Sequence, residues 1–200
     1  MLVPPLCWGC GGVARRSEPL CLGCRRLLRR LGPDPVLLSG VRVWAPMAYA
    51  GPARDLVRAL KFRGGTAVAD TMAAQIVANA TILMPGRALV PVPLHPRRLR
   101  RRGYNQAGLI ADALSRRTGL ELADCLGRAG AHATQVGRDR RERGLGPAGS
   151  IELRAAAPGR VTLVDAVATT GATLAACAAV LRAGGSIEVT AVVFARTIGR

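Results

Sequence analysis

Lysine is almost missing from this 200-residue chain, where Lys61 stands alone against 28 arginines. Acid is scarce too: 12 Asp and Glu face 29 basic residues, for a formal charge of +17. A GC-rich coding bias writes Arg for Lys, but it does not explain the shortage of acid. That imbalance points to a polyanionic partner or an anionic substrate. Aromatics make up only 3% of the chain, so Ala, Val and Leu must fill the core. Half the residues are apolar and 20% charged, which excludes wholesale disorder. Long hydrophobic runs are absent. Thr71–Gly86 and Ala166–Leu181 are uncharged for sixteen residues each, short of the roughly 20 that span a bilayer. No charged-then-apolar leader precedes Cys7. A cytoplasmic, soluble protein without membrane insertion is expected, of one domain with a small appendage.

Residues 1–30 stand apart, with four of the six cysteines and little to form a core. Residues 31–40, opened by Leu31-Gly32-Pro33-Asp34-Pro35, read as a linker. Val41–Tyr49 suggests a strand that Pro46 places at an edge or a bulge. Gly51-Pro52 opens a helix with Leu56, Val57 and Leu60 on one face, ended by Gly64-Gly65. A second helix carries Val68, Met72 and Ile76. Ala88–Pro93 reads as a short strand and Asn105–Arg117 as a helix stopped by Gly119. Residues 128–149 lack an apolar period and read as a long loop. Val161–Val164, Thr173–Arg182 and Ile187–Phe194 predict strand, helix, strand. The alternation implies an α/β fold with a mainly parallel sheet and flanking helices.

Cys7-x-x-Cys10 and Cys21-x-x-Cys24 form two hooks ten residues apart. Each hook puts two thiolates on one turn, and two hooks complete a tetrahedron for structural Zn²⁺. Two disulfides are the alternative, which a cytoplasmic setting disfavours. Four protein ligands leave no open position, so such a site is not catalytic. Cys125 and Cys177 sit singly among apolar residues and read as core.

The most informative segment is Val161-Thr162-Leu163-Val164-Asp165-Ala166-Val167-Ala168-Thr169-Thr170-Gly171-Ala172-Thr173. An apolar strand delivers an acid at its carboxyl end, and a small hydroxyl-rich turn then opens a helix. Free N–H groups and the helix dipole suit a phosphate there, with Gly171 allowing close approach. The Gly-Lys-Ser/Thr of a nucleotide-binding P-loop is missing.

This segment resembles the PRPP-binding motif of type I phosphoribosyltransferases. Tyr49-x-Gly51-Pro52, Leu60-Lys61-Phe62, Val90-Pro91-Val92-Pro93 and Arg102-Gly103-Tyr104-Asn105-Gln106 are similar to elements of the ComF family (competence protein F-like, GntX-like). The N-terminal zinc ribbon is likewise a feature of that family. The resemblance covers almost the whole chain. It implies a phosphoribosyltransferase-type domain over residues 41–200, with Asp165 holding the ribose hydroxyls of PRPP. Thr169, Thr170, Gly171, Ala172 and Thr173 would cradle its 5′-phosphate. Leu94, His95 and Arg97 would belong to the pyrophosphate loop, and Lys61 would reach a phosphate. Magnesium would accompany PRPP. Residues 128–149 would form a hood over the site.

The family's second acid is Ala166 here. An acid restored at 166 is expected to strengthen binding if that position faces the cleft. In the hood, Gln135 and Arg143 keep the family pattern, while Arg138 and Gly146 depart from it. No catalytic residue is assigned, so a transferase acting on PRPP and a non-catalytic adaptor both remain readings.

Arg97-Arg98-Leu99-Arg100-Arg101-Arg102 concentrates five charges in six residues, and Arg25–Arg30 and Arg138–Arg143 are further clusters. A charge run is often only a solvated face. Three of them on a +17 chain favour nucleic-acid backbone binding, with Arg98, Arg100, Arg101 and Arg102 as contacts, single-stranded DNA included. Trp8, Trp44 and Tyr104 are the candidates for base stacking, too few for base-specific readout. The family resemblance implies a role in DNA uptake and natural transformation, with a competence helicase as a partner.

Overall fold

The computed structural model describes residues 5–15, 18–79, 87–128 and 151–199. In chain order these form α1 (Leu22–Arg26), β1 (Val36–Leu38), β2 (Val41–Trp44), β3 (Met47–Ala48), α2 (Gly51–Phe62), α3 (Val68–Asn79) and β4 (Ala88–Pro91). There follow α4 (Pro96–Arg102), α5 (Gln106–Thr118), β5 (Leu126–Arg128), β6 (Ile151–Leu153), β7 (Arg160–Ala168), α6 (Ala172–Ala183) and β8 (Glu188–Arg196). The main sheet has the order β1-β2-β8-β7-β4, with β3 also on β8. Its pairs are parallel except β1 with β2. β5 and β6 form a separate antiparallel ribbon.

The central strands β7 and β8 are apolar on both faces because both faces are covered. On one face Leu60, Met72 and Ile110, from α2, α3 and α5, pack with Val164, Val192 and Phe194. On the other, Leu174 and Leu181 of α6 and Leu126 of β5 pack with Leu163, Ala191 and Val193. The aromatic-poor core is thus built from many aliphatic side chains, each worth roughly 1.5–3 kcal/mol when fully buried.

Three expectations need correction. Residues 31–40 are not a free linker, because Val36–Leu38 is the antiparallel edge strand β1. Leu31 N–H donates to Pro46 O at 2.8 Å, and Ala48 N–H to Arg29 O at 2.9 Å. Cys7, Leu20 and Cys24 lie in the same core cluster as Trp44, Met47 and Leu56, so the cysteine module is packed onto the sheet. Second, Pro46 marks neither an edge nor an inserted residue. Trp44 pairs with Val192 and Met47 with Ala195, so the register with β8 is unchanged across the break. Third, the acid does not end its strand: β7 continues through Ala168, three residues past Asp165.

The outer edge of β4 is covered by a short segment, where Leu89 N–H donates to Glu121 O at 2.8 Å and Ala123 N–H to Leu89 O at 2.9 Å. The opposite edge is β1, only three residues long. Among the described residues no helix is long and apolar enough to cross a membrane.

Candidate functional site

β4 stops at Pro91 while β7 runs on, and this opens a notch at the carboxyl ends of the strands. Val92 N–H, just past β4, donates to Val164 O at 2.9 Å. Alternation along β7 turns the Ala166 N–H to the same edge, where β4 has already ended. That N–H donates instead to Asp165 Oδ1 at 2.7 Å. Burial pushes the Asp165 carboxyl above the usual carboxylate range, while Lys61, the Ala166 N–H, Gln106 and Arg128 pull it back. Burial likewise lowers the Lys61 ammonium, which Asp165 raises and Arg102 and Arg98 lower further. The lone lysine and the motif acid therefore share one electrostatic site.

Gln106 connects this acid to the arginine helix. The residue is 7% exposed, and its side chain faces Asp165 and accepts from Arg102 Nη1. Arg102 also lies over the Phe62 ring, 5.5 Å from its centroid. Lys61, Phe62, Gly64, Arg101, Arg102 and Tyr104 line an open pocket of about 460 Å³. Arg97, Arg98, Arg100 and Arg101 are exposed on α4, whereas Arg102 is half-buried and turned inward. Arg102 is thus a bridge to Gln106 rather than a free backbone contact. Trp44 is 1% exposed and unavailable for stacking. Phe62, 64% exposed, belongs to the Leu60-Lys61-Phe62 element and supplies a ring to the pocket lining.

The loop expected to take pyrophosphate is a helix start. His95 N-caps α4, its Nδ1 accepting from Arg97 N–H at 3.2 Å. That use consumes the Arg97 amide, while its side chain stays exposed. Asn105 caps α5 by accepting from Ala107 N–H at 3.1 Å, and its Nδ2 donates to Val92 O at 3.0 Å. One side chain therefore ties the end of β4 to the helix that carries Gln106.

The Thr-Thr-Gly turn lies between β7 and α6. Thr169 and Thr170 are exposed, Thr173 is half-buried and Ala172 is exposed. Ala172 N–H donates to Thr170 Oγ1 at 3.3 Å. Gly171 has φ +83° and gives α6 no side-chain cap. A Cβ at Gly171 would lie 2.7 Å from Leu38 Cβ, so the β1–β2 turn rests on this loop. Ser39 Oγ reinforces that contact by donating to Thr170 O at 2.9 Å. Ala166 is fully buried beside Val164 and Phe194, not in the cleft. The expectation that an acid at 166 would restore binding therefore fails on packing.

Arg128 is a further residue that no motif marks. It ends β5, its charge acts on both Asp165 and Cys177, and its Nε is buried without a partner among the described residues. Only the ribbon's fold brings it here. Burial pushes the Cys177 thiol up to about 12, which fits an inert core position. Gln135, Arg138, Arg143 and Gly146, with most of the expected hood, lie outside the described residues.

The cysteine tetrad is assembled. The Sγ atoms of Cys7, Cys10, Cys21 and Cys24 all lie within 4.8 Å of one another. Cys10 and Cys21 are 3.7 Å apart at sulfur, close to the roughly 3.8 Å edge of a tetrahedral Zn–S₄ centre. Cys21 N–H donates to Cys7 Sγ at 3.2 Å. Burial raises the Cys7 thiol, but the N–H groups of Cys10, Cys21 and Gly9 outweigh it and bring it down to about 6. Burial and the three neighbouring sulfurs push Cys24 far up. Four thiolates this close repel one another without a cation, and this donor set could bind a zinc ion.

The described architecture is that of an α/β protein with a mainly parallel sheet, a basic cleft at its strand ends and a four-cysteine cluster. No family model matches the chain. It is 31% identical over 159 residues to the DNA utilization protein YhgH of Escherichia coli K12, a match covering 75% of this chain and 70% of that protein. The corresponding protein of Shigella flexneri is 30% identical over 159 residues, and that of Salmonella typhi 32% over 161, with the same coverage. The chain belongs to this ComF/GntX family of DNA utilization proteins.

Proposed function

We propose that this chain binds PRPP, as its Mg²⁺ complex, or a related phosphorylated ligand in the notch where β4 ends beside β7. We further propose that it works in the DNA utilization for which its relatives are named. The observation that carries the first part is the grouping of Asp165 with Lys61, Gln106 and Arg102, on the strand whose following Thr-Thr-Gly turn opens α6. Asp165 would accept from ribose hydroxyls. The amides and hydroxyls of Thr169–Thr173 would hold the 5′-phosphate, since a helix start favours an anion. Lys61, with Leu94, His95 and Arg97, would meet the pyrophosphate end. Zinc on the cysteine tetrad would be structural, holding the knuckle closed.

A second reading, a non-catalytic nucleic-acid adaptor with a degenerate phosphoribosyl site, is favoured by α4. None of its seven residues is buried, and four of its arginines face solvent. Phosphate contacts of that kind bind single-stranded DNA without reading its sequence. A competence helicase as protein partner belongs to the same reading. Calorimetric titration with PRPP, with and without Mg²⁺, tests the first reading: saturable, Mg²⁺-enhanced binding is expected. Absence of binding, beside retained affinity for single-stranded DNA, would leave the adaptor.

A further inference from the structure

Trp8 links the cysteine module to the helix that carries Lys61. Trp8, inside the first hook, lies against the turn that ends α2. A Cβ on Gly65 would sit 3.3 Å from Trp8 Cζ2 and 3.4 Å from the Ala59 backbone. Trp8 is itself held by its N–H, which donates to Pro19 O at 2.9 Å just before the second hook. Gly65 N–H donates back to Ala59 O at 3.3 Å. On the other side, Tyr104 Oη donates to Leu60 O at 2.5 Å. The last turn of α2, which carries Lys61, is therefore held from two sides. The final turn of a helix otherwise frays, because its carbonyls have no partners within the helix.

We propose that Trp8 is a positioning residue for Lys61, and that metal held by the four cysteines fixes how the chain's one lysine is presented to an anion in the cleft. The structural link is independent of any ligand. Its consequence for binding rests on the phosphate-ligand reading above. Burial, Asp165 from β7 and Arg102 and Arg98 from α4 act on Lys61, which sits in the last turn of α2, so its distance to each follows the position of that turn.

Because the chain has one lysine, amine-directed acylation followed across pH reports Lys61 once its peptide is resolved by mass spectrometry from the one carrying the terminal α-amine. In the zinc-loaded 200-residue chain, its titration midpoint is expected below that of an ordinary lysine. Trp8→Ala, with zinc content checked by metal analysis, should move the midpoint up toward the ordinary value. It should also weaken binding of inorganic pyrophosphate about tenfold, the scale of one charged contact. Trp8→Phe should behave as wild type, and chelation of the zinc should reproduce Trp8→Ala. Should Trp8→Ala fail to hold zinc, Gly65→Ala crowds the same ring with every cysteine intact and should shift the same midpoint. An unchanged midpoint in the Trp8 and Gly65 variants and in chelated protein overturns the proposal. If wild type binds no pyrophosphate, the phosphate-ligand reading falls instead, and the midpoint still decides the positioning role.

Discussion

At the scale of the residue, Asp165 carries opposing demands. Its carboxyl is raised by burial, so at neutral pH the ionised form weakens the fold. The sign is that of a raised acid: its contribution is favourable below the ordinary carboxylate pKa and is lost as pH climbs through the raised value. Asp165→Asn keeps an acceptor for the Ala166 N–H but removes the charge. It is expected to raise Tm at pH 7 while reducing PRPP affinity roughly ten- to a hundredfold; differential scanning calorimetry and titration calorimetry read the two effects. Ala166→Asp should do the reverse of repair. It places a carboxylate among Val164 and Phe194, and a lower Tm without any gain in PRPP affinity is expected. Gly171→Ala meets both a left-handed φ and the Leu38 side chain, and should destabilise by about 1–3 kcal/mol. Urea denaturation of Gly171→Ala alone and with Leu38→Gly, which removes the contacting Cβ, would separate that clash from the backbone strain.

At the scale of the element, Asn105 is the most economical joint in the molecule, capping α5 and holding the end of β4. Asn105→Ala should cost about 1 kcal/mol and lower Tm by about 2–4 °C. Its larger effect should fall on ligand affinity, because Gln106 starts the same helix. Much at this scale was legible in the sequence. Helices α2, α3, α5 and α6 follow from apolar spacing and end-residue chemistry, and β4, β7 and β8 from short apolar runs. Helix α4 was hidden, because a run of arginines has no apolar period and its start depends on a His95 cap. The length of β7 was hidden as well: Asp165 resembles a strand end, yet the β8 ladder continues to Ala168 opposite Arg196. At the cleft, the motif residues could be read from order alone. Gln106 as a bridge and Arg128 could not, since tertiary packing brings them together from separate elements.

At the scale of the whole molecule, the cysteine module and the sheet share one core, which changes what metal loss should do. Zinc binding supplies roughly 10–16 kcal/mol in small finger peptides. If residues 1–30 were a separate body, chelation or Cys21→Ser would remove one transition and leave the other in place. With Cys7, Leu20 and Cys24 in one core cluster with Trp44 and Met47, a single transition shifted to lower temperature is expected instead. Scanning calorimetry with and without chelator distinguishes the two. The basic surface belongs to this scale as well. Replacing Arg98, Arg100 and Arg101 by Ala should flatten the log–log salt dependence of DNA affinity by about 0.7–0.9 for each phosphate no longer neutralised. An unchanged slope in a fluorescence-anisotropy titration would remove α4 from the interface.

The covered edge of β4 and the brevity of β1 bear on how the protein behaves when crowded. A sheet that ends in bare, regular strands invites a second chain to add itself, and such addition is an early step toward ordered aggregates. Here one side is already occupied by the Glu121–Ala123 stretch, and the other offers three residues with Pro35 just before them. Neither border gives a newcomer enough backbone to zip onto, so self-association of the folded sheet by strand exchange is disfavoured even at high concentration.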